Sequence, residues 1–322
     1  MISFIFRTDV HVSDKSPVSW KGDYNAEIFE SLRQIGDLAR EHQVTAVLDG
    51  GDYFHVKTPS RNSHGLIIAT GLVHKEYPCP VYSIEGNHDL TGNNLATVDT
   101  QPLGVLYVSG IFKHLQEEVF ESDGLRVRVV GVPYSLSRDL DQIQAIRKKP
   151  GDDFLIAIVH ALASENPPAH VEEFFGEAVF RYQHLVYDQG PDLFAFGHWH
   201  RDQGVVQIED RFFVNQGAVS RGSLTKENTE RIPKVSLIQI TKEDGISVRV
   251  LPLKVAPAEE VYDFERKERQ EKESSIIEQF VSQLESDLQI DPDQDIEAGV
   301  ASMNFAPEVR SRALAYLERA RG

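Results

Sequence analysis

Residues 44–55 read VTAVLDGGDYFH: a strand-forming run over Val44–Leu48, then Asp49, the glycine pair Gly50–Gly51, and Asp52. A short apolar run stopped by glycine predicts a buried strand, here followed at once by an acid. The same grammar recurs along the chain. Ile2–Arg7 precedes Asp9-Val10-His11, Val81–Ile84 precedes Gly86-Asn87-His88-Asp89, Phe154–Val159 precedes His160, and Leu193–Phe196 precedes Gly197-His198-Trp199-His200. In α/β sheets ligands gather beyond the carboxyl ends of strands, so five strands ending this way predict one shared site.

The surrounding pattern agrees. Asn25–Glu41 has helical spacing (Ile28, Leu32, Ile35, Leu38, Ala39), and residues 60–77 read as a second helix. Further strands are expected at Val105–Val108, Arg126–Val130, Gly204–Ile208, Phe212–Val214, Val235–Ile240 and Ser247–Pro252. Early strand–helix units followed by strand-rich sequence predict an α/β core with some antiparallel strands. Pro252–Pro257 reads as a hinge, which divides the chain into a domain over 1–255 and a helical extension over 256–322. In that extension Val261–Leu288 is expected to be a charged helix with Ile276, Ile277, Phe280, Val281, Leu284 and Leu288 on one face. A final amphipathic helix is expected from about Pro307.

The chain has 322 residues, 41% hydrophobic and 26% charged, an ordinary balance for a sizeable core. No run approaches the ~18 apolar residues of a membrane span. One cysteine, Cys79, excludes a disulfide framework and a thiolate-built metal site. With no cleavable leader in MISFIFRTDVHV, these features predict a reducing, cytoplasmic setting. Net charge is −17, of which residues 256–300 supply −10 through 14 acids and 4 bases. So acidic a protein grips polyphosphate poorly by its own charge; a nucleic-acid substrate would need bound cations or a partner.

The donors collected by the five blocks are imidazoles, carboxylates and one amide: Asp9, His11, Asp52, Asn87, His160, His198 and His200. A mixed N/O set suits Mn²⁺, Fe²⁺ or Zn²⁺ better than Ca²⁺. Asp9/His11 and His198/His200 are spaced i and i+2, which in extended backbone points both side chains to one face. Seven ligands exceed the need of one ion. With one bridging carboxylate they suit a pair about 3.5–4 Å apart, as in two-metal phosphoryl-transfer sites.

The order Asp-x-His, Gly-Asp, Gly-Asn-His-Asp, His, Gly-His-x-His over residues 9–200 resembles the calcineurin-like metallophosphoesterases. That resemblance implies two mixed β-sheets sandwiched between helices. It also implies one ion on Asp9, His11, Asp52 and His200, and another on Asp52, Asn87, His160 and His198. Activated water would attack phosphorus in line, with His88 over the scissile phosphate and Asp89 orienting His88. Gly50–His55 followed by Pro59-Ser60-Arg61 is similar to the second motif of SbcD-type nuclease subunits. By that likeness His55 helps position the phosphate. His11-Val12-Ser13 departs from the His-Leu-Gly that those nucleases commonly carry.

The resemblance implies a Mn²⁺-preferring DNA nuclease, with Mg²⁺, Fe²⁺ or Zn²⁺ as alternatives. Its partners would be an SMC-like ATPase bound through the C-terminal helices and a second copy of itself. No GxxxxGK[ST] occurs, so the ATPase would be another chain. Arg221 and Arg201 are candidate phosphate contacts, and Trp20 could stack on a nucleobase. The rival readings are a phosphoesterase of nucleotides or phosphoproteins, and a non-catalytic scaffold of the same fold.

Overall fold

The computed structural model describes residues 1–266, whose compact unit runs Met1–Tyr262. The first half alternates strand and helix: β1 (Ile2–Arg7), α1 (Tyr24–Glu41), β2 (Ala46–Asp49), α2 (His64–Lys75), β3 (Val81–Ser83), α3 (Pro102–Val108) and β4 (Phe112–His114). Next come β5 (Glu117–Ser122), β6 (Leu125–Val132), α4 (Leu140–Gln144), β7 (Phe154–His160), β8 (Ala163–Ser164), α5 (Val171–Phe175) and β9 (Phe180–Arg181). The unit closes with β10 (Leu193–Gly197), β11 (Asp202–Ile208), β12 (Arg211–Gln216), α6 (Lys226–Glu230), β13 (Lys234–Thr241), β14 (Gly245–Pro252) and α7 (Ala258–Val261).

Two mixed six-stranded sheets result. One has the order β14-β13-β1-β2-β3-β4, parallel from β1 to β4; the other has the order β11-β12-β10-β7-β6-β5, parallel from β12 to β6. Strand alternation builds the layers. Ile2, Phe4 and Phe6 of β1 meet Ile156 and Ile158 of β7 in a core between the sheets. The opposite faces are buried as well: Ile5 and Val47 pack with Ile28, Leu32 and Ile35 of α1, while Val159 and Phe194 pack with Ile143 of α4. Strands covered on both faces read as unbroken apolar runs, which is why they were legible in the sequence. The four-layer helix–sheet–sheet–helix expectation holds.

The strand ends are pinned by a buried charge. Arg7, last residue of β1, is in register with Asp49, last of β2, and donates from Nε to its carboxylate at 2.7 Å with no solvent access to either side chain. Asp49 also accepts from the Gly51 amide at 3.1 Å and the Ser83 hydroxyl at 3.2 Å. One carboxylate thereby ties the ends of three strands directly below the ligand loops.

Several expectations are corrected. Val105–Val108 lies in α3, a helix begun by Pro102, in which Leu103 and Leu106 turn inward while Val105 and Val108 face out. That spacing of three belongs to a helix, not to a strand. Trp20 does not await a base. It is 6% exposed, sits edge-on to Tyr24 and Tyr262, and forms a backbone bridge with Tyr262. Val261 closes α7 and Tyr262 is extended, so no helix begins at Val261. Residues 256–262 pack with the first unit, through Ala258, Val261 and Tyr262. Within the expected span, residues 264–266 are helical, while its remainder from 267 to Leu288 and the helix from Pro307 lie outside the described residues.

Replacing one partner of a buried ion pair strands the other charge and costs about 3–5 kcal/mol. Asp49→Ala is expected to lower unfolding free energy by that amount, read from urea denaturation of the metal-free protein. A loss below ~1 kcal/mol would show that the pair does not hold the strand ends.

Candidate metal centre

Three of the five segments do not reach the site in extended backbone; His160, by contrast, ends strand β7. Asp9, His11, Asp52 and His198 all have positive φ, at 54°, 52°, 55° and 86°. This conformation is costly for residues with a Cβ and concentrates at functional sites. It corrects the i, i+2 reading of Asp9/His11 and His198/His200, since left-handed turns rather than a straight strand bring the pairs together. The turns are held by backbone pairing: Asp9 N–H to Gly51 O at 3.0 Å, His11 N–H to Asp52 O at 3.1 Å, and Val12 N–H to Tyr53 O at 2.9 Å. The loop after β12 braces them from below, with Val219 N–H on Thr8 O and Ala218 N–H on His200 O.

Two glycines let the second and third loops touch. Gly51 has φ +91°, and a Cβ on it would lie 2.6 Å from the Gly86 nitrogen. A Cβ on Gly86 would lie 2.1 Å from Asp52 Oδ1. Asp89 stitches the same loops by accepting from the amides of Tyr53 (3.3 Å), Phe54 (3.1 Å) and Gly86 (3.0 Å). Its carboxyl is raised well above the usual range by burial and by the neighbouring Asp52 charge. Asp89 does not touch the His88 side chain, which corrects its expected role. The His55 carbonyl holds His88 instead, accepting from Nδ1 at 2.6 Å.

The ligand atoms fall into two clusters, Asp9/His11/Asp52/His200 and Asp52/His160/His198, each with its atoms within 4.8 Å of one another. Asp52 belongs to both. Its Oδ2 lies 3.7 Å from His11 Nε2 and 3.5 Å from His160 Nε2. Asn87 enters the second cluster with Oδ1 3.3 Å from His160 Nε2. His160 gives Nδ1 to the Gly50 carbonyl at 2.6 Å, which leaves Nε2 for the cluster.

In the first cluster the Nε2 atoms of His11 and His200 face each other across 2.9 Å, with Asp9 Oδ1 3.9 and 3.5 Å away. Nitrogen lone pairs and carboxylate oxygens aimed at one point are what a cation requires, and the donor set fits a divalent metal. Electrostatics agree. Burial pushes the Asp9 carboxyl up, but His200 and His160 outweigh it and hold it at about 2. Asp52 is held well below the usual range by His160 and His11 against the same burial. Reciprocally, Asp52 and Asp9 overcome burial and lift His160 to about 9.

His11, His55 and His88 form a third group, with the His55 and His88 rings stacked 5.3 Å apart at 17°. Asp52, Asn87, His88, His198 and His200 line an open cavity of about 550 Å³, and Arg201 stands on its wall. Arg221 is elsewhere. It is buried, with Nε and Nη2 on the Glu27 carboxylate at 3.1 and 2.8 Å and Nη2 on the Ala256 carbonyl at 2.7 Å, so it clamps the chain and does not line the cavity.

The family model described as calcineurin-like phosphoesterase matches residues 2–202, the span that carries all five loops. The chain belongs to the calcineurin-like phosphoesterases. The family is described as phosphoesterases, and the donor clusters of this chain are of the kind that could hold divalent metals. This calcineurin-like phosphoesterase is also similar to the DNA double-strand break repair protein Mre11 of Archaeoglobus fulgidus, 22% identical over 237 residues. The match covers 69% of this chain and 51% of that protein, so the chain spans about half the length of the relative. Among solved structures it resembles the Thermus thermophilus sulfate thiohydrolase SoxB, with TM-score 0.46 and 13% identity over 80% of this chain and 58% of that one.

Residues that sequence reasoning missed also line this phosphoesterase's cavity: Glu177, Phe175 and Phe174, the last 78% exposed. They lie in EEFFGE, a stretch with no ligand spacing, so only the fold brings them to the site. The loop contact makes a test of the centre. Gly86 has φ −92°, which alanine adopts freely. Gly86→Ala therefore acts through its clash with Asp52, and Mn²⁺ affinity by equilibrium dialysis is expected to fall about tenfold or more. Wild-type affinity in that variant would show that Asp52 is not held where it is needed.

Proposed function

We propose that this protein is a two-ion, Mn²⁺-preferring DNA nuclease, the catalytic subunit of an SbcCD-like nuclease–ATPase complex in DNA repair or recombination. The observation that carries the reading is the sharing of Asp52 between two ligand clusters beneath the His55–His88 pair. Two divalent cations bound there would offset phosphate charge and lower the pKa of water toward neutrality. This matters for a chain of net charge −17, which has little charge of its own to attract DNA.

The chain's own groups then have defined tasks. Asp52 holds both clusters in one place. Asp9, His11 and His200 complete one, while Asn87, His160 and His198 complete the other. The His55 carbonyl accepts from Nδ1 of His88, so Nε2 faces the departing alkoxide, and the imidazolium form of His88, protonated on both nitrogens, would give it the Nε2 proton and be left as the neutral Nδ1–H ring. The His55 ring backs His88 and positions the phosphate, and Arg201 on the cavity wall contacts a flanking phosphate. The DNA substrate is supported by the second-motif likeness at Gly50–His55 and by the similarity to Mre11. An SMC-like ATPase would engage the C-terminal segment after Tyr262, and the nuclease would work as a homodimer in the cytoplasm. No helix among the described residues is long and apolar enough to cross a membrane.

Asp52→Ala is expected to lose bound metal and nuclease activity together. His88→Ala is expected to keep its metal and lose about 10²–10⁴ in turnover. Metal analysis alongside Mn²⁺-dependent digestion of end-labelled duplex and single-stranded DNA, with and without the ATPase, reads both. Full activity in either variant refutes the assignment. Rapid hydrolysis of bis-p-nitrophenyl phosphate with no cleavage of DNA would favour a small-nucleotide phosphoesterase instead.

A further inference from the structure

Behind His198 lies a hydrogen-bonded chain built from three segments distant in sequence. Glu177 Oε2 is 3.0 Å from His198 Nε2, and Glu177 Oε1 accepts from the Tyr134 hydroxyl at 2.8 Å. Tyr134 is buried just past β6, and its amide donates to the Glu85 carbonyl at 2.8 Å, which ties it to the loop that carries Asn87 and His88. Glu177 follows Gly176, whose left-handed backbone (φ 67°) ends α5 and turns the chain back toward the site. The Tyr134 ring packs 5.3 Å from His198 and 6.1 Å from His160, so both imidazoles of the second cluster rest on it.

Among the described residues, the other ligand histidines have no carboxylate of this kind. His160 rests its outer nitrogen on a backbone carbonyl, and His200 is half exposed, its contacts being Asp9 and His11 within the first cluster. A carboxylate that holds the outer nitrogen of a ligating imidazole fixes its tautomer and ring direction and makes the other nitrogen a better donor.

We propose that Glu177, itself held by Tyr134, is the positioning residue of the second cluster, presenting His198 Nδ1 to the ion shared with Asp52 and His160. The inference rests on the two-ion reading above. The two ions should therefore respond differently to loss of Glu177: one keeps its affinity and the other weakens by about 10–100-fold.

The test titrates the full-length, chelator-stripped chain with Mn²⁺. Free ion is counted from its six-line EPR signal, and spin coupling between bound ions is followed in the same samples. Wild type should bind two coupled ions. Glu177→Ala should bind one ion at wild-type affinity and the second about 10–100-fold more weakly, with coupling lost at intermediate Mn²⁺. Glu177→Gln, which can still accept from Nε2–H but carries no charge, should fall between. Tyr134→Phe removes one hydroxyl and should weaken the same single ion less. It carries the test if Glu177→Ala does not fold, and unchanged binding in it would then overturn the proposal. Two ions at wild-type affinity in Glu177→Ala, or equal weakening of both, overturns the role of Glu177 alone. A wild-type chain that binds a single ion overturns the two-ion reading as well.

Discussion

A carboxylate cut off from water must be compensated by positive charge, and Asp52 is that carboxylate. It is 1% exposed and lies among His11, His160 and the amide of His88, which donates to Oδ1 at 2.7 Å. Taking an anion out of water is expensive enough that the group is kept only where cations or donors converge on it. Every other feature of the site is arranged about that point: two sets of imidazoles on opposite sides, and two loops pressed close enough that only glycine fits between them.

Such crowding needs a stiff base. The sandwich supplies it by burying its central strands on both faces, and the Arg7–Asp49 pair locks the register of β1 and β2 immediately before their ligands emerge. Above that base the backbone is strained at four ligand residues, and the strain is held by ladders of ordinary amide bonds between adjacent loops. Asp89 shows how indirect the support can be. It reaches no reacting group, yet without it three amides in the two loops around Asp52 would lose their acceptor.

The parts of the molecule that were legible in the sequence are those where chemistry and local pattern coincide. The five ligand blocks could be read because each couples a double-sided buried strand to residue types that metals require. Val105–Val108 was misread because a short apolar run has no period long enough to separate helix from strand. The β5–β6 hairpin was missed although Asp123-Gly124, both with positive φ, is a strong hairpin signal. Its outer strand, EEVFES, is an edge strand with little burial and so carries no apolar run to notice. Trp20 and Arg221 looked like substrate contacts because exposed function and buried clamping use the same side chains. Only the presence of Tyr262 and Glu27 distinguishes the two uses.

By itself, then, the sequence determined the class of fold, the seven candidate donors and the family, because these depend on residue type and short spacing. The tertiary structure alone decided how those donors divide about Asp52, that His88 hangs from a backbone carbonyl rather than from Asp89, and that Glu177 and Tyr134 stand behind His198. Such relations join residues 21 to 191 positions apart. No local pattern encodes them, since each depends on where separate chain segments come to rest when the two sheets close on a common core.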